Sequence, residues 1–345
     1  MKALVFNGPG KKTWTEVPDP QIVDPRDAII RVDAVTICGT DLHILGGDVP
    51  EVESGRILGH EAVGTVVSVG PAVSGLAPGD RVLASCISAC GTCRYCREGA
   101  YGQCRNGGGW ILGHLVDGVQ AEYARLPFAD LSTYKLPATV SDEAAVMLAD
   151  ILPTSYEVGV LNGHVRPGDT VAIVGTGPIG LAAILTGKLY SPSHIIAIDK
   201  ADSRLDAAKM FGADLTSKPE AAVEAVMAAT GGLGADVVIE AVGTPATFEL
   251  CTKLVRPGGR VANVGVHGKP ATLHLEDLWI RNVTITTGLV DTYSTPTLLT
   301  MLGAGQLDVG HMITHRFPMD AFMEAYEVFG SPATTGALKV VLSRS

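Results

Sequence analysis

Four of the seven cysteines fall in one short run, Cys90-Gly91-Thr92-Cys93-Arg94-Tyr95-Cys96, completed by Cys104, a C-x2-C-x2-C-x7-C spacing. Thiolate sulfur binds zinc at about 2.3 Å, and four thiolates from one short lobe close a tetrahedron with no corner left for a substrate. The chemistry implied is a structural metal site that contributes folding energy. Free or disulfide-linked thiols suit this spacing poorly. Cys86 lies four residues ahead of the run and is a fifth thiol outside the pattern.

A second group of donors is scattered along the chain. Cys38 and His60 are a thiolate and an imidazole of the kind zinc prefers. Residue type alone leaves both open, since a free cysteine is commonly a small buried apolar residue and a lone histidine a hydrogen-bonded polar one. Asp150 stands in the apolar stretch Ala149-Asp150-Ile151-Leu152-Pro153-Thr154. An unpaired carboxylate is costly there and a metal would offset the cost. A helix cap is the other reading of Asp150.

The third chemical feature is the turn Gly175-Thr176-Gly177-Pro178-Ile179-Gly180, between the apolar run Val171 to Val174 and a Leu/Ala-rich helical segment. Gly175 allows the sharp turn, Gly177 lets backbone approach a pyrophosphate, and Gly180 lets the helix pack on the strand. The helix N-terminus that begins at Pro178 and Ile179 offers free N–H groups and partial positive charge. A second apolar run, Ile195 to Ile198, ends in Asp199, nineteen positions after Gly180. An acid there accepts from an adenosine ribose and repels a 2′-phosphate, so NAD is expected over NADP, qualified slightly by the neighbouring Arg204.

These features need elements to hold them. A chain of 345 residues, 46% hydrophobic, exceeds one ordinary core and predicts two domains. Residues 1 to 36 read as short strands with turns, and a Val-rich strand pair ends near Val82. Asp142 to Ala149 reads as a capped helix. From Pro153 onward, apolar runs at 171–174, 195–198, 237–242, 261–266 and 283–287, with a short one near 213–216, alternate with helical segments such as Ser203 to Phe211 and Ala221 to Ala229. That pattern predicts a doubly wound, mostly parallel α/β sheet of about six strands. Val242, then Val264, Gly265 and Val266, then Leu289 and Val290 lie at the strand ends, where adenine and nicotinamide contacts are expected. Thr297 to Leu302 and Met319 to Phe329 read as helices, and Leu338 to Leu342 as a strand returning to the first domain.

A net charge of −10 without a basic run argues against nucleic acid and anionic membrane as partners. The start MKALVFNGPGKK lacks a leader pattern, and no window approaches a membrane-length apolar run, so a cytoplasmic location is expected.

The strings Gly59-His60-Glu61-Ala62-Val63-Gly64-Thr65-Val66-Val67-Ser68-Val69-Gly70-Pro71-Ala72-Val73 and Cys38-Gly39-Thr40-Asp41-Leu42-His43 resemble the zinc signature and the relay motif of the medium-chain alcohol dehydrogenases. The similarity spans essentially the whole chain. It implies a GroES-like catalytic domain over 1–152 and 291–345, with a zinc lobe at 86–105, and a Rossmann NAD-binding domain over 153–290. The implied catalytic zinc ligands are Cys38, His60 and Asp150, with the fourth position open. The aspartate resembles the secondary-alcohol and formaldehyde-dehydrogenase-like branches, where liver-type relatives carry cysteine. Glu61 is implied as a transient ligand or a supporting partner of the site. Thr40 and His43 match the proton relay, Thr154 a nicotinamide contact, Lys339 a cofactor-phosphate contact, and Cys86 and Trp110 the wall of the substrate pocket. A core tryptophan is the other reading of Trp110. The resemblance implies two zinc ions per chain, NAD, a homotetramer and a small alcohol, ketone or aldehyde substrate. Secondary alcohols are favoured over primary alcohols, formaldehyde adducts or polyols, and a non-catalytic zinc- and nucleotide-binding protein is the remote alternative.

Overall fold

A computed structural model describes residues 1–344. The first stretch of chain contributes β1 (Lys2–Phe6), β2 (Lys12–Glu16), β3 (Ala28–Thr36), β4 (Ala62–Val69), β5 (Arg81–Ala84), β6 (Tyr123–Leu126) and β7 (Thr133–Lys135). There follow β8 (Thr170–Val174), β9 (His194–Ile198), β10 (Leu215–Ser217), β11 (Ala235–Glu240), β12 (Val255–Asn263) and β13 (Thr284–Thr287), and then β14 (Ile313–Pro318) and β15 (Lys339–Ser343). The chain divides into two compact units, Met1–Asp150 with Asp291–Ser345, and Ile151–Val290.

The first unit is built on a sheet in the order β14-β15-β3-β4-β5-β7, with β6 also paired to β3, and a separate β1-β2 hairpin. The long β3 alternates buried Ala28, Ile30 and Val32 with more exposed Ile29, Arg31 and Asp33, the period-two signature of a sheet with one face on a core. It pairs antiparallel with β4 along its length, with β6 over Ala28–Arg31 and with β15 over Ala34–Thr36. The core under it joins Leu4, Ile30, Val32, Leu58, Val66, Val82 and Leu126 to Phe322, Ala325, Tyr326 and Phe329. Those last four recur at helical spacing along Phe322–Gly330, so one stripe of that helix faces inward.

The second unit is a parallel sheet in the order β10-β9-β8-β11-β12-β13. Its central β8, TVAIV, is buried at every position, as a strand covered on both faces must be. In chain order this is the 3-2-1-4-5-6 arrangement of dinucleotide-binding folds, and the order reverses between β8 and β11. The helix expected over Asp142 to Ala149 covers only Asp142–Val146, capped by Ser141, whose side chain accepts from Ala144 N–H. Beyond Ile151–Thr154, residues Ser155–Leu161 form a π-helical stretch, a wide turn the sequence pattern does not announce. Among the described residues no helix is long and apolar enough to cross a membrane.

Candidate metal and cofactor sites

Cys38 follows the end of β3 and precedes the helix Gly39–Gly46, while His60 and Glu61 immediately precede β4. Antiparallel pairing of Val35 with Ala62, extended by Thr36 N–H donating to Glu61 O at 3.2 Å, draws these two chain segments together. The segment ending in Asp150 is tied alongside by Cys86 N–H donating to Ala149 O at 3.1 Å, just past β5. Sheet register therefore assembles three donors that span 112 positions of chain. One ligand atom from each of Cys38, His60 and Asp150 lies within 4.8 Å of the others. Asp150 Oδ2 is 3.6 Å from Cys38 Sγ and 3.3 Å from His60 Nε2. A tetrahedral zinc site with bonds of 2.0 to 2.3 Å has edges of about 3.3 to 3.8 Å, so the donor set and its spacing fit zinc.

The electrostatics point the same way. Burial raises the Cys38 thiol, with Glu61 and Asp150 adding to the rise. Burial opposes charge on His60, yet Asp150 and Cys38 outweigh it and hold the imidazole well above its ordinary value. Burial and the nearby carboxylates thus favour the thiol over the thiolate at Cys38, while Asp150 and Cys38 favour the charged imidazole at His60. A dication removes that conflict by taking the thiolate and the neutral imidazole as ligands.

Around this corner, Asp41 Oδ2 accepts Cys38 N–H at 2.9 Å. Its other oxygen stands 3.9 Å from His60 Nδ1, and neither of those two atoms has a hydrogen-bond partner. Thr40 Oγ1 lies 3.6 Å from Cys38 Sγ. His43, on the same helix, has a side chain 44% exposed and shares a 2.8 Å hydrogen bond with Asp48. Trp110 packs partly buried against the core with its ring edge-on to His60 at 6.3 Å, and it stacks on His114 at 4.3 Å. Cys86 is buried.

One expectation is corrected, and Glu61 takes the supporting position that was one of its two expected roles. Lys339 does not extend toward cofactor phosphates: it is 1% exposed, and its ammonium donates to Glu61 Oε2 at 2.7 Å and to Ile37 O at 3.0 Å. Glu61, fully buried, would otherwise carry an uncompensated charge. Glu61 in turn is bound to that ammonium and is not one of the clustered metal donors. Burial raises its carboxyl and Lys339 opposes the rise, while Glu61 outweighs burial to raise Lys339. The pair joins residues 278 positions apart, which no local pattern signals.

Cys90, Cys93, Cys96 and Cys104 form a second cluster of close donors, and none is in a disulfide. Cys90 Sγ and Cys96 Sγ are 3.8 Å apart, an edge expected for sulfur ligands of one zinc. Burial works against the Cys90 thiolate, but the hydroxyl and N–H of Thr92 and the N–H of Cys93 bring its pKa down to about 5. Cys96 is pushed up to about 12 by burial. A cation makes all four thiolates compatible, and the closed four-cysteine set is a structural zinc site.

In the second unit the glycine turn has the anatomy expected of it. Gly175 has φ +92°, and a Cβ there would lie 2.3 Å from Val242 Cγ2. A Cβ on Gly180 would sit 1.9 Å from Gly175 O, so only glycine lets the helix Pro178–Gly187 approach β8. Gly177 meets nothing nearer than the Arg204 guanidinium at 3.8 Å, leaving the open approach a pyrophosphate needs at a helix N-terminus. Asp199 accepts Thr176 N–H and Ala201 N–H at 2.8 and 2.9 Å and lies 3.9 Å from Arg204. Each of its oxygens keeps acceptor capacity for a ribose hydroxyl. Val242, Val264 to Val266, and Leu289 with Val290 follow the C-terminal ends of β11, β12 and β13. Val264 and Val290 are buried. Thr154 is half-buried at the start of the π-helical stretch.

Comparison with known proteins agrees with this anatomy. A model of the alcohol dehydrogenase GroES-like domain matches residues 24–138, and a model of zinc-binding dehydrogenases matches residues 178–303. The fold is similar to apo zinc-dependent alcohol dehydrogenase 2 from Streptococcus pneumonia, with 48% identity, a TM-score of 0.96 and coverage of 100% of this chain and 99% of that one. It is similar also to the alcohol dehydrogenase TADH from Thermus sp. ATN1, with 38% identity, a TM-score of 0.93 and full coverage of both chains. An alcohol dehydrogenase of Cupriavidus necator is 37% identical across 99% of this chain and 98% of its own length. End-to-end similarity of this kind, over a chain that brings together both sets of zinc donors and the dinucleotide turn, makes the protein a member of the zinc-dependent medium-chain alcohol dehydrogenase family.

Proposed function

We propose that the protein oxidises secondary alcohols reversibly to ketones with NAD. One alcohol and one NAD⁺ give one ketone, one NADH and one proton. The observation that carries the reading is the three-donor corner of Cys38, His60 and Asp150, which leaves the fourth tetrahedral position to an alcohol oxygen. Zinc held there supplies Lewis acidity that brings an alcohol hydroxyl's pKa toward neutrality. NAD supplies the hydride acceptor.

The chain's own residues orient the substrate and carry away its proton. Thr40, beside Cys38, accepts the alcohol's proton as it gives up its own hydroxyl proton, and His43, part-exposed and hydrogen-bonded to Asp48, is the group that delivers a proton to water. Trp110 and Cys86 bound the pocket, the indole narrowing it near His60 and excluding water. Asp199 selects the unphosphorylated ribose, while the turn around Gly177 and the helix N-terminus at Pro178 and Ile179 receive the pyrophosphate. Thr154, Val242, Val264, Gly265, Val266, Leu289 and Val290 complete the cofactor contacts. The working assembly in this reading is a cytoplasmic homotetramer.

The test is the initial rate of NADH formation by zinc-loaded protein with 2-butanol and 1-butanol, each with NAD or NADP. A higher kcat/KM for 2-butanol with NAD supports the proposal. Preference for 1-butanol transfers the reading to primary alcohols, and inactivity with both directs it to formaldehyde adducts or polyols.

A further inference from the structure

Behind the metal corner runs a chain of buried hydrogen bonds that the reaction itself does not use. Tyr326, 3% exposed, donates its hydroxyl to Gln120 Oε1 at 2.8 Å. Gln120, fully buried, donates from Nε2 to Asp41 Oδ2 at 3.0 Å, with Thr36 O a longer acceptor at 3.5 Å. Asp41, 1% exposed, accepts Cys38 N–H on that same oxygen and turns its other oxygen toward His60 Nδ1. A carboxylate has no proton to give, so the amide nitrogen must face Asp41 and the amide oxygen must face the tyrosine. The direction of every bond in the chain is thereby fixed.

The backbone is shaped to admit this side chain. Gly59, which precedes the metal-binding His60, has φ +91°, and a Cβ there would lie 2.4 Å from Gln120 Cγ. Leu4 N–H donates to Gln120 O and Gln120 N–H donates to Leu58 O, at 2.8 and 2.9 Å, so the amide is pinned at its root as well as at its tip.

We infer that Gln120 and Tyr326 are positioning residues for the catalytic metal: they hold Asp41 so that it anchors the backbone of Cys38 and faces the unpartnered His60 Nδ1 at 3.9 Å, the carboxylate poised for that ring nitrogen's proton while Nε2 is the donor. A histidine metal ligand almost always directs its other ring N–H at an outer acceptor, and loss of such outer partners typically lowers metal affinity about 10- to 100-fold. Here the facing carboxylate is itself oriented through Gln120 from a helix 206 positions further along the chain. The inference rests on the metal reading of Cys38, His60 and Asp150.

The experiment follows release of both zinc ions from the full-length protein into a chromogenic chelator, with the zinc of the four-cysteine site as internal reference, and records the visible absorption of cobalt placed in the catalytic site. Gln120→Met keeps side-chain length without either hydrogen bond, and Tyr326→Phe removes one hydroxyl. Both variants are expected to release the catalytic zinc about 10- to 100-fold faster, to leave the four-cysteine zinc at the wild-type rate, and to alter the cobalt bands. Wild-type release and spectra in Gln120→Met, or equal acceleration at both sites, would overturn the inference as a packing effect. Retention of the faster-released zinc by His60→Ala would overturn the metal reading and the inference together.

Discussion

Replacing Lys339 by Met removes the cation that neutralises Glu61 in a place water does not reach. The two side chains are each 1% exposed and joined at 2.7 Å. Breaking one side of a buried pair costs about 3–5 kcal/mol, because the remaining charge is left without compensation. The unit that contains the pair is about two hundred residues long, for which 1 kcal/mol moves the melting temperature by about 2–4 °C. Lys339→Met should therefore lower the transition of zinc-loaded protein by about 6–20 °C in differential scanning calorimetry. The double variant Glu61→Leu with Lys339→Met removes both charges and should recover more than half of that loss, since apolar replacement of a whole buried pair is often near neutral. A Lys339→Met protein that melts within about 2 °C of wild type would refute this reasoning, as would a double variant that loses the sum of the single losses.

Other perturbations address the sites separately. Asp150→Asn should reduce bound zinc from two to one per chain by plasma emission spectroscopy and cut turnover at least about 100-fold; unchanged zinc content and turnover would remove Asp150 from the ligand set. Cys104→Ser should release the structural zinc and shift the first unit's unfolding to lower urea, while full retention of both metals would show that the four-cysteine set is not closed by Cys104. Gly180→Ala drives a Cβ into Gly175 O and should weaken NAD binding at least about 10-fold by fluorescence titration, whereas Gly268→Ala, which meets nothing within 4 Å, should bind normally. Asp199→Ala should move the kcat/KM ratio of NAD to NADP toward NADP by about 10-fold or more, and no movement would leave cofactor choice to other groups.

What was legible in the sequence was what repeats at short range. The Cys90–Cys104 spacing, the glycine turn and the apolar runs of the parallel sheet are local codes, and the structure returns each in place. The Cys38, His60 and Asp150 set was only partly legible: residue type left it open, motif resemblance assigned it, and the registers of β3, β4 and β5 explain how it closes. Lys339 is misread because a lysine on a late strand gives no sign of direction, and its inward turn shows only in the buried pair with Glu61, 278 positions away. Asp41, Gln120 and Tyr326 escaped for the same reason, their partnership being made across the sheet and a distant helix. The spacing of Asp41 three residues after Cys38, at the start of a helix, was the one local signal available.

The central claim is that Cys38, His60 and Asp150 hold a metal at which the alcohol is activated. It is tested most directly by anomalous diffraction at the zinc edge from crystals of the purified protein. Two peaks per chain are expected, one enclosed by the four thiolates and one bonded to Cys38 Sγ, His60 Nε2 and an Asp150 oxygen, with the Glu61 carboxylate on Lys339. A single peak at the four-cysteine cluster in protein that oxidises alcohols would contradict the claim.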